Sequence, residues 1–257
     1  MPPPKRGYAV VDVEATGRSP WRHRVVEVAV VLLDAALRTE GEFATLIDPL
    51  GPVGPTHVHR IEQADVVGAP RFREVAPHLL EQLAGRVLVG HHVTCDQAFL
   101  EREFARIGVP LPAVPLLCTM HLARGHLQEA GGYGLAACVA AAGLGGYPAH
   151  TALGDARATA DLLRHCAQGS ARPSEDWSGP LREAAGVPWP RVGQSDPRHR
   201  AEPPVLRREA PSGPWPAPGT MPVLTPGPIP DPVPGPAAGR APGPVPAPRP
   251  DPALGSE

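Results

Sequence analysis

The chain has 257 residues, enough for one large domain or for a medium domain with an appendage. Of its 37 prolines, 24 follow Ala171, whereas every phenylalanine, tyrosine and cysteine precedes it, which excludes two comparable globular domains. The formal net charge is −2, with 15 basic and 17 acidic residues up to Ser170 and 9 of each beyond, so neither part is a basic nucleic-acid clamp by bulk charge.

Gly7 to Glu14 is a short apolar, β-branched run that predicts a buried strand, ending at the turn signal Thr16-Gly17. Val25 to Leu33, broken by Glu27, predicts a second strand and Thr39 to Ile47 a third; the short links make an antiparallel meander. After a Pro/Gly loop from Asp48 to Pro55 the period changes. Phe72, Val75, Ala76, Leu79, Leu80 and Leu83 recur at helical spacing, so Arg71 to Ala84 is an amphipathic helix. Arg86 to Gly90 predicts a buried strand, Asp96 to Ile107 a second helix, and Pro115 to Cys118 a strand running into a short helix. Gly134 to Ala142 and Ala149 to Cys166 are the last two helices. Strands followed by strand–helix alternation predict a mixed α/β sheet covered by helices.

Residues 1–170 are therefore expected to form one domain, and 171–257 a Pro/Ala/Gly-rich, largely disordered tail of polyproline type. One island in it, Trp177 to Trp189, is either a helical turn docked on the domain or free chain. The cysteines, Cys95, Cys118, Cys138 and Cys166, have no Cys-x-x-Cys spacing and are expected to be reduced, small buried hydrophobes rather than zinc ligands or a disulfide scaffold. The N-terminus lacks a long apolar run after its charges, and no apolar window is long enough to span a bilayer. A cytoplasmic protein with no membrane partner is the expectation.

Three clusters carry candidate chemistry. Asp12 and Glu14, two apart in the first strand, point to one face; carboxylates on a buried strand are costly unless a hard divalent cation supplies the missing charge. Asp96 opens the second helix, after His91 and His92. His150 lies five residues before Asp155, at a loop–helix junction. Each cluster alone has an ordinary reading: solvated acids, a helix cap, a loop histidine. Their conjunction does not.

The segments Val11 to Gly17, Gly90 to Leu100 and His150 to Leu163 resemble, in order and separation, the three motifs of the DEDDh 3′–5′ exonucleases, with the proofreading epsilon subunit of bacterial DNA polymerase III and ribonuclease T nearest in pattern. The resemblance covers about Gly7 to Cys166. It implies an RNase H-like fold, a mixed five-stranded sheet flanked by helices. It also implies hydrolysis of phosphodiester bonds from a nucleic-acid 3′ end, single-stranded or frayed, with two Mg²⁺ ions (or Mn²⁺) held by Asp12, Glu14, Asp96 and Asp155. By the same resemblance Asp12 bridges both ions, Glu14 and Asp155 serve the one beside the attacking water, and Asp96 acts mainly through bound waters. His150, whose ordinary pKa lies near neutrality, is the expected general base. The backbone at Ala15 and Thr16 is expected to meet the terminal 3′-hydroxyl, and His59 to stack on or wedge the last base. The sequence departs from the pattern at Ala15, Arg60, His92, Cys95 and Cys118; Arg60 and His92 bear on how the last nucleotide is gripped.

DNA is the favoured substrate, in proofreading or repair. RNA 3′-end trimming is the alternative, and a non-catalytic module tethered to a polymerase or repair complex by its tail is the rival of a different class.

Overall fold

The computed structural model describes residues 7–127, 132–169, 178–190 and 205–207. Most of the segment expected as a tail lies outside the described residues. Five strands, β1 (Gly7–Ala15), β2 (Val25–Asp34), β3 (Thr39–Leu46), β4 (Arg86–Gly90) and β5 (Leu116–Cys118), form one mixed sheet in the order β3-β2-β1-β4-β5. β1, β2 and β3 are the antiparallel meander, and β4 and β5 run parallel to β1. This is an RNase H-like mixed sheet flanked by helices.

Alternation along β1 divides the core. Ala9 and Val11 face one side, where α2 (Phe72–Leu83) and α3 (Val93–Arg106) bring Phe72, Leu79, Leu100 and Phe104. Tyr8 and Val10 face the other, under α6 (Ala152–Gly169). The contact stripe of α6 is Ala152, Ala156, Ala160 and Leu163. Its small side chains let the helix axis approach the sheet closely, which later brings Asp155 to the strand end.

The short helices α1 (Thr56–His59), α4 (Thr119–His126) and α5 (Leu135–Ala141) complete the chain up to α6. Two helices start away from their expected positions, for the same reason. His92 and His150 both take left-handed backbone conformations, φ 75° and 61°. α3 therefore begins at Val93, three residues before Asp96, and α6 begins only at Ala152. Positive φ is uncommon for any non-glycine residue, so hydrophobic periodicity does not place such a turn.

Part of the segment expected as tail packs on the fold. Helix α7 (Ser178–Gly186) buries Ala184 and rests Leu181 on the α6 side of the sheet, Trp189 packs on the opposite side, and Leu206 forms hydrogen bonds with Leu46 and Thr45 of β3. For the island, docking is what the structure describes. No disulfide joins the four cysteines; Cys138 and Cys166 are buried as expected, but Cys95 is exposed, its Sγ 3.2 Å from His92 Nδ1. No helix among the described residues is long and apolar enough to cross a membrane.

Candidate active site

β1 outruns its neighbour. β4 stops at Gly90 and its pairing with β1 stops at Val10–Val89, so Asp12 to Ala15 project beyond the strand on that side. On the other side β2 still pairs, setting Glu14 across from Glu27. Asp12 and Glu14 continue the face of Tyr8 and Val10, the face under α6.

Asp96 enters from the first turn of α3. It is 7% exposed and its Oδ1 accepts the Val13 amide N–H at 3.2 Å, so it ties the helix to the end of β1 instead of capping its own helix. Gly90 permits this approach: a Cβ there would stand 3.1 Å from Asp96 Oδ2.

Asp155 and His150 are set by the start of α6. Thr151 Oγ1 accepts the Gly154 N–H at 3.1 Å, the geometry of an N-cap. One residue further, Asp155 Oδ2 accepts the His150 N–H at 3.1 Å, which fixes the left-handed turn. The result is that one ligand atom each from Glu14, His150 and Asp155 lies within 4.8 Å of the others.

The electrostatics are those of crowded acids. Burial, then Asp155, Asp96, Glu14 and Glu27, push Asp12 well above the usual carboxylate range. Burial raises Asp96 and Asp155 to about 7. His150 moves down, by burial first and by the Arg60 charge second. Both causes favour the neutral ring, which has a nitrogen able to accept a proton.

Two side chains at the site had no motif to announce them. Glu27, 4% exposed, accepts the Ala152 N–H at 3.0 Å and so joins β2 to the first residue of α6. Its only sequence signal is a charge interrupting an apolar strand. Tyr147 feels Asp155 and Asp12, and burial followed by these two charges raises its phenol.

The expected substrate contacts fare differently from the acids. His59 is 1% exposed; its Nε2 faces Val53 O at 3.1 Å and its Nδ1 accepts the Ile61 N–H at 3.0 Å. The ring is a buried internal pin of the 53–61 loop, whereas the expected stacking role asks for an open face. The Thr16 amide donates to Arg24 O at 2.8 Å and its hydroxyl oxygen accepts the Arg24 N–H at 3.0 Å, so its backbone donor closes a loop. Ala15, half-buried, stays beside Glu14 at the bulge where the β1–β2 register shifts. The 53–61 loop reaches this point because Gly54, at φ 88°, touches the Thr16 carbonyl, where any Cβ would lie 2.2 Å from the oxygen.

The donor set fits a hard divalent cation. Carboxylate oxygens suit Mg²⁺ or Mn²⁺ better than a thiophilic metal, and a cation among these acids relieves the burial and mutual repulsion that raise Asp12.

Comparison with known proteins agrees with this geometry. The RNase_T exonuclease family matches residues 9–163, a span holding Asp12, Glu14, Asp96, His150 and Asp155. A Mycobacterium tuberculosis protein named as a bifunctional exonuclease/endonuclease is 36% identical over 165 residues, 61% of this chain and 26% of that protein. The DNA polymerase III epsilon subunit of Aquifex aeolicus is 32% identical over 159 residues, 61% of this chain and 78% of its own. The solved structure of exonuclease X with 5′ overhanging duplex DNA is 25% identical, with a TM-score of 0.51 over 69% of this chain and 97% of that one. The matched stretch thus spans about a quarter of the first relative and about three quarters of the second. On the family match and the fold together, the chain belongs to the RNase_T exonucleases, within the DEDDh-type 3′–5′ exonuclease superfamily.

Proposed function

We propose that this protein is a divalent-metal-dependent 3′–5′ exonuclease that removes nucleoside monophosphates one at a time from the 3′ end of DNA. The observation that carries the reading is the cluster of acids at Asp12, whose side chain is held well above its ordinary pKa by burial first and by the neighbouring carboxylates second. An epsilon subunit of a DNA polymerase and a nuclease solved on DNA among the similar proteins favour DNA.

In this reading Asp12, Glu14, Asp96 and Asp155 hold two Mg²⁺ ions, or Mn²⁺. When bound, the ions supply Lewis-acid stabilisation of the charge that builds on phosphorus oxygens and leaving group. The protein's own work is positioning and proton transfer. His150, neutral because it is buried beside Arg60, accepts the proton of the attacking water. The water oxygen forms a bond to phosphorus and the bond from phosphorus to the upstream 3′-oxygen breaks. That oxygen leaves as the new 3′-hydroxyl after taking a proton from solvent. Asp155 holds His150 in register through the backbone bond. Ala15, at the bulge, lies where the terminal sugar would rest.

We assign this activity to the first 170 residues and a tethering role, toward a polymerase or repair complex, to the Pro-rich segment beyond the docked residues. The test is digestion of 3′-labelled single-stranded DNA, duplex DNA and RNA, each with Mg²⁺ and with EDTA. Mononucleotide release from DNA with Mg²⁺ alone supports the proposal. Preferential release from RNA would move the substrate assignment, and release in EDTA would overturn the metal requirement.

A further inference from the structure

Trp21 is 70% exposed, in the loop between β1 and β2. An exposed indole on a flexible loop would mean little. This one is built in place. Glu103, 1% exposed on α3, accepts Arg24 Nε at 2.7 Å and Nη2 at 2.9 Å, and Arg106 Nη1 at 3.0 Å. Arg106 Nη2 in turn donates to the carbonyls of Pro20, Trp21 and His23, at 3.0, 3.3 and 3.1 Å. Thr16 and Arg24 close the loop at its base with two hydrogen bonds. The guanidinium of Arg102, one turn before Arg106, lies over the Trp21 ring. One face of the indole is thus backed by a cation, and most of the side chain still meets solvent.

The charge around it selects the partner. From Ala15 to Val26 the chain carries Arg18 and Arg22, besides the Arg24 that Glu103 holds, and no acidic residue, against a whole-chain balance of −2. A base stacked on an aromatic ring with arginines along its phosphates is the common mode of single-strand binding, and it needs no sequence readout. Position agrees. The loop springs from Thr16, two residues past Glu14, and Arg102 lies six residues beyond Asp96 on the same helix, about 9 Å along its axis. On the order of three stacked nucleotides cover that distance.

We propose that Trp21, backed by Arg102, is a stacking platform for a base of the single strand a few nucleotides upstream of the 3′ end. It rests on the exonuclease reading for its substrate, but its test does not need hydrolysis. Anisotropy of a 5′-labelled ten-nucleotide DNA strand, with Ca²⁺ replacing Mg²⁺, should show affinity weakened on the order of 10-fold in Trp21→Ala. Trp21→Phe should recover most of the loss. In hydrolysis, the preference for the ten-nucleotide strand over a one-nucleotide ester, as a ratio of kcat/KM, should fall by a similar factor. Thermal melts of both variants identify any loss that comes from unfolding. Equal affinity of wild type and a folded Trp21→Ala would overturn the platform and leave the indole to a protein partner. Weakened binding in Trp21→Ala, alongside a wild type that proves unable to hydrolyse DNA, would sustain the platform and sink the exonuclease reading.

Discussion

Glu27 lies directly across from Glu14 in the β1–β2 pair, and its carboxylate accepts the first amide of α6, that of Ala152, at 3.0 Å. A buried acid beside other acids is costly, yet the amide at a helix N-terminus favours negative charge. The same residue therefore adds repulsion to the cluster and fixes the helix that carries Asp155.

The two effects separate by substitution. Glu27→Gln keeps an oxygen for the Ala152 N–H and removes the charge, so the metal-free protein should melt at the same temperature or higher. Glu27→Ala leaves the amide unpaired and should cost about 2 kcal/mol of stability. It should also lower kcat about 10-fold, because His150 and Asp155 flank that amide. Paired melts and rates check this; an alanine variant as stable and active as the glutamine variant would deny Glu27 a positioning role.

Asp12→Asn should reduce nuclease activity by at least about 100-fold, several kcal/mol of lost charge stabilisation. Without metal the same variant should melt higher than wild type, because it removes the carboxylate that burial and four neighbouring acids oppose. A variant that loses activity and also melts lower would point to a structural role for Asp12.

The metal-free protein should lose stability as pH rises. Asp96 and Asp155 bind protons up to about 7 when folded but only to about 4 when unfolded. Between those values the folded state holds more protons, so the stabilisation is complete below about 4 and is lost as pH climbs through 7. Melts in EDTA from pH 5 to 8 should fall. Added Mg²⁺ should restore more at pH 8 than at pH 5, since only deprotonated acids bind it. A melting temperature that rises with pH in EDTA would contradict these directions.

Truncation after residue 207 should leave melting temperature and kcat near those of the full chain. Truncation at residue 170 removes α7, Trp189 and Leu206 from the core faces they cover, and should cost about 2–4 kcal/mol. Equal stability of the two truncated chains would mean that the docked residues contribute nothing.

Much of this architecture was readable from residue patterns. A continuous apolar, β-branched run placed β1, the two-residue period put its acids on one face, and 3.6-residue spacing placed α2, because all follow from side chains meeting a core. What was not readable depends on backbone turns or on contacts distant in sequence. The starts of α3 and α6 hinge on left-handed His92 and His150. The burial of His59 follows from its bonds to Val53 and Ile61, which the motif resemblance does not contain. Glu27 was visible only as a break in an apolar strand; its role needs α6, 125 positions away, to arrive beside it. Trp21 gave no signal at all until Arg102 and Arg106 were seen to hold its loop.

The central claim is that acids from three distant segments share divalent cations beside a histidine that does something else. Calorimetric titration of Mn²⁺ into wild type, Asp12→Asn and His150→Ala tests it most directly. The account predicts saturable binding in the wild type, its loss or severe weakening in Asp12→Asn, and retained binding in a His150→Ala variant that no longer hydrolyses DNA. Undiminished Mn²⁺ binding in Asp12→Asn would contradict the account.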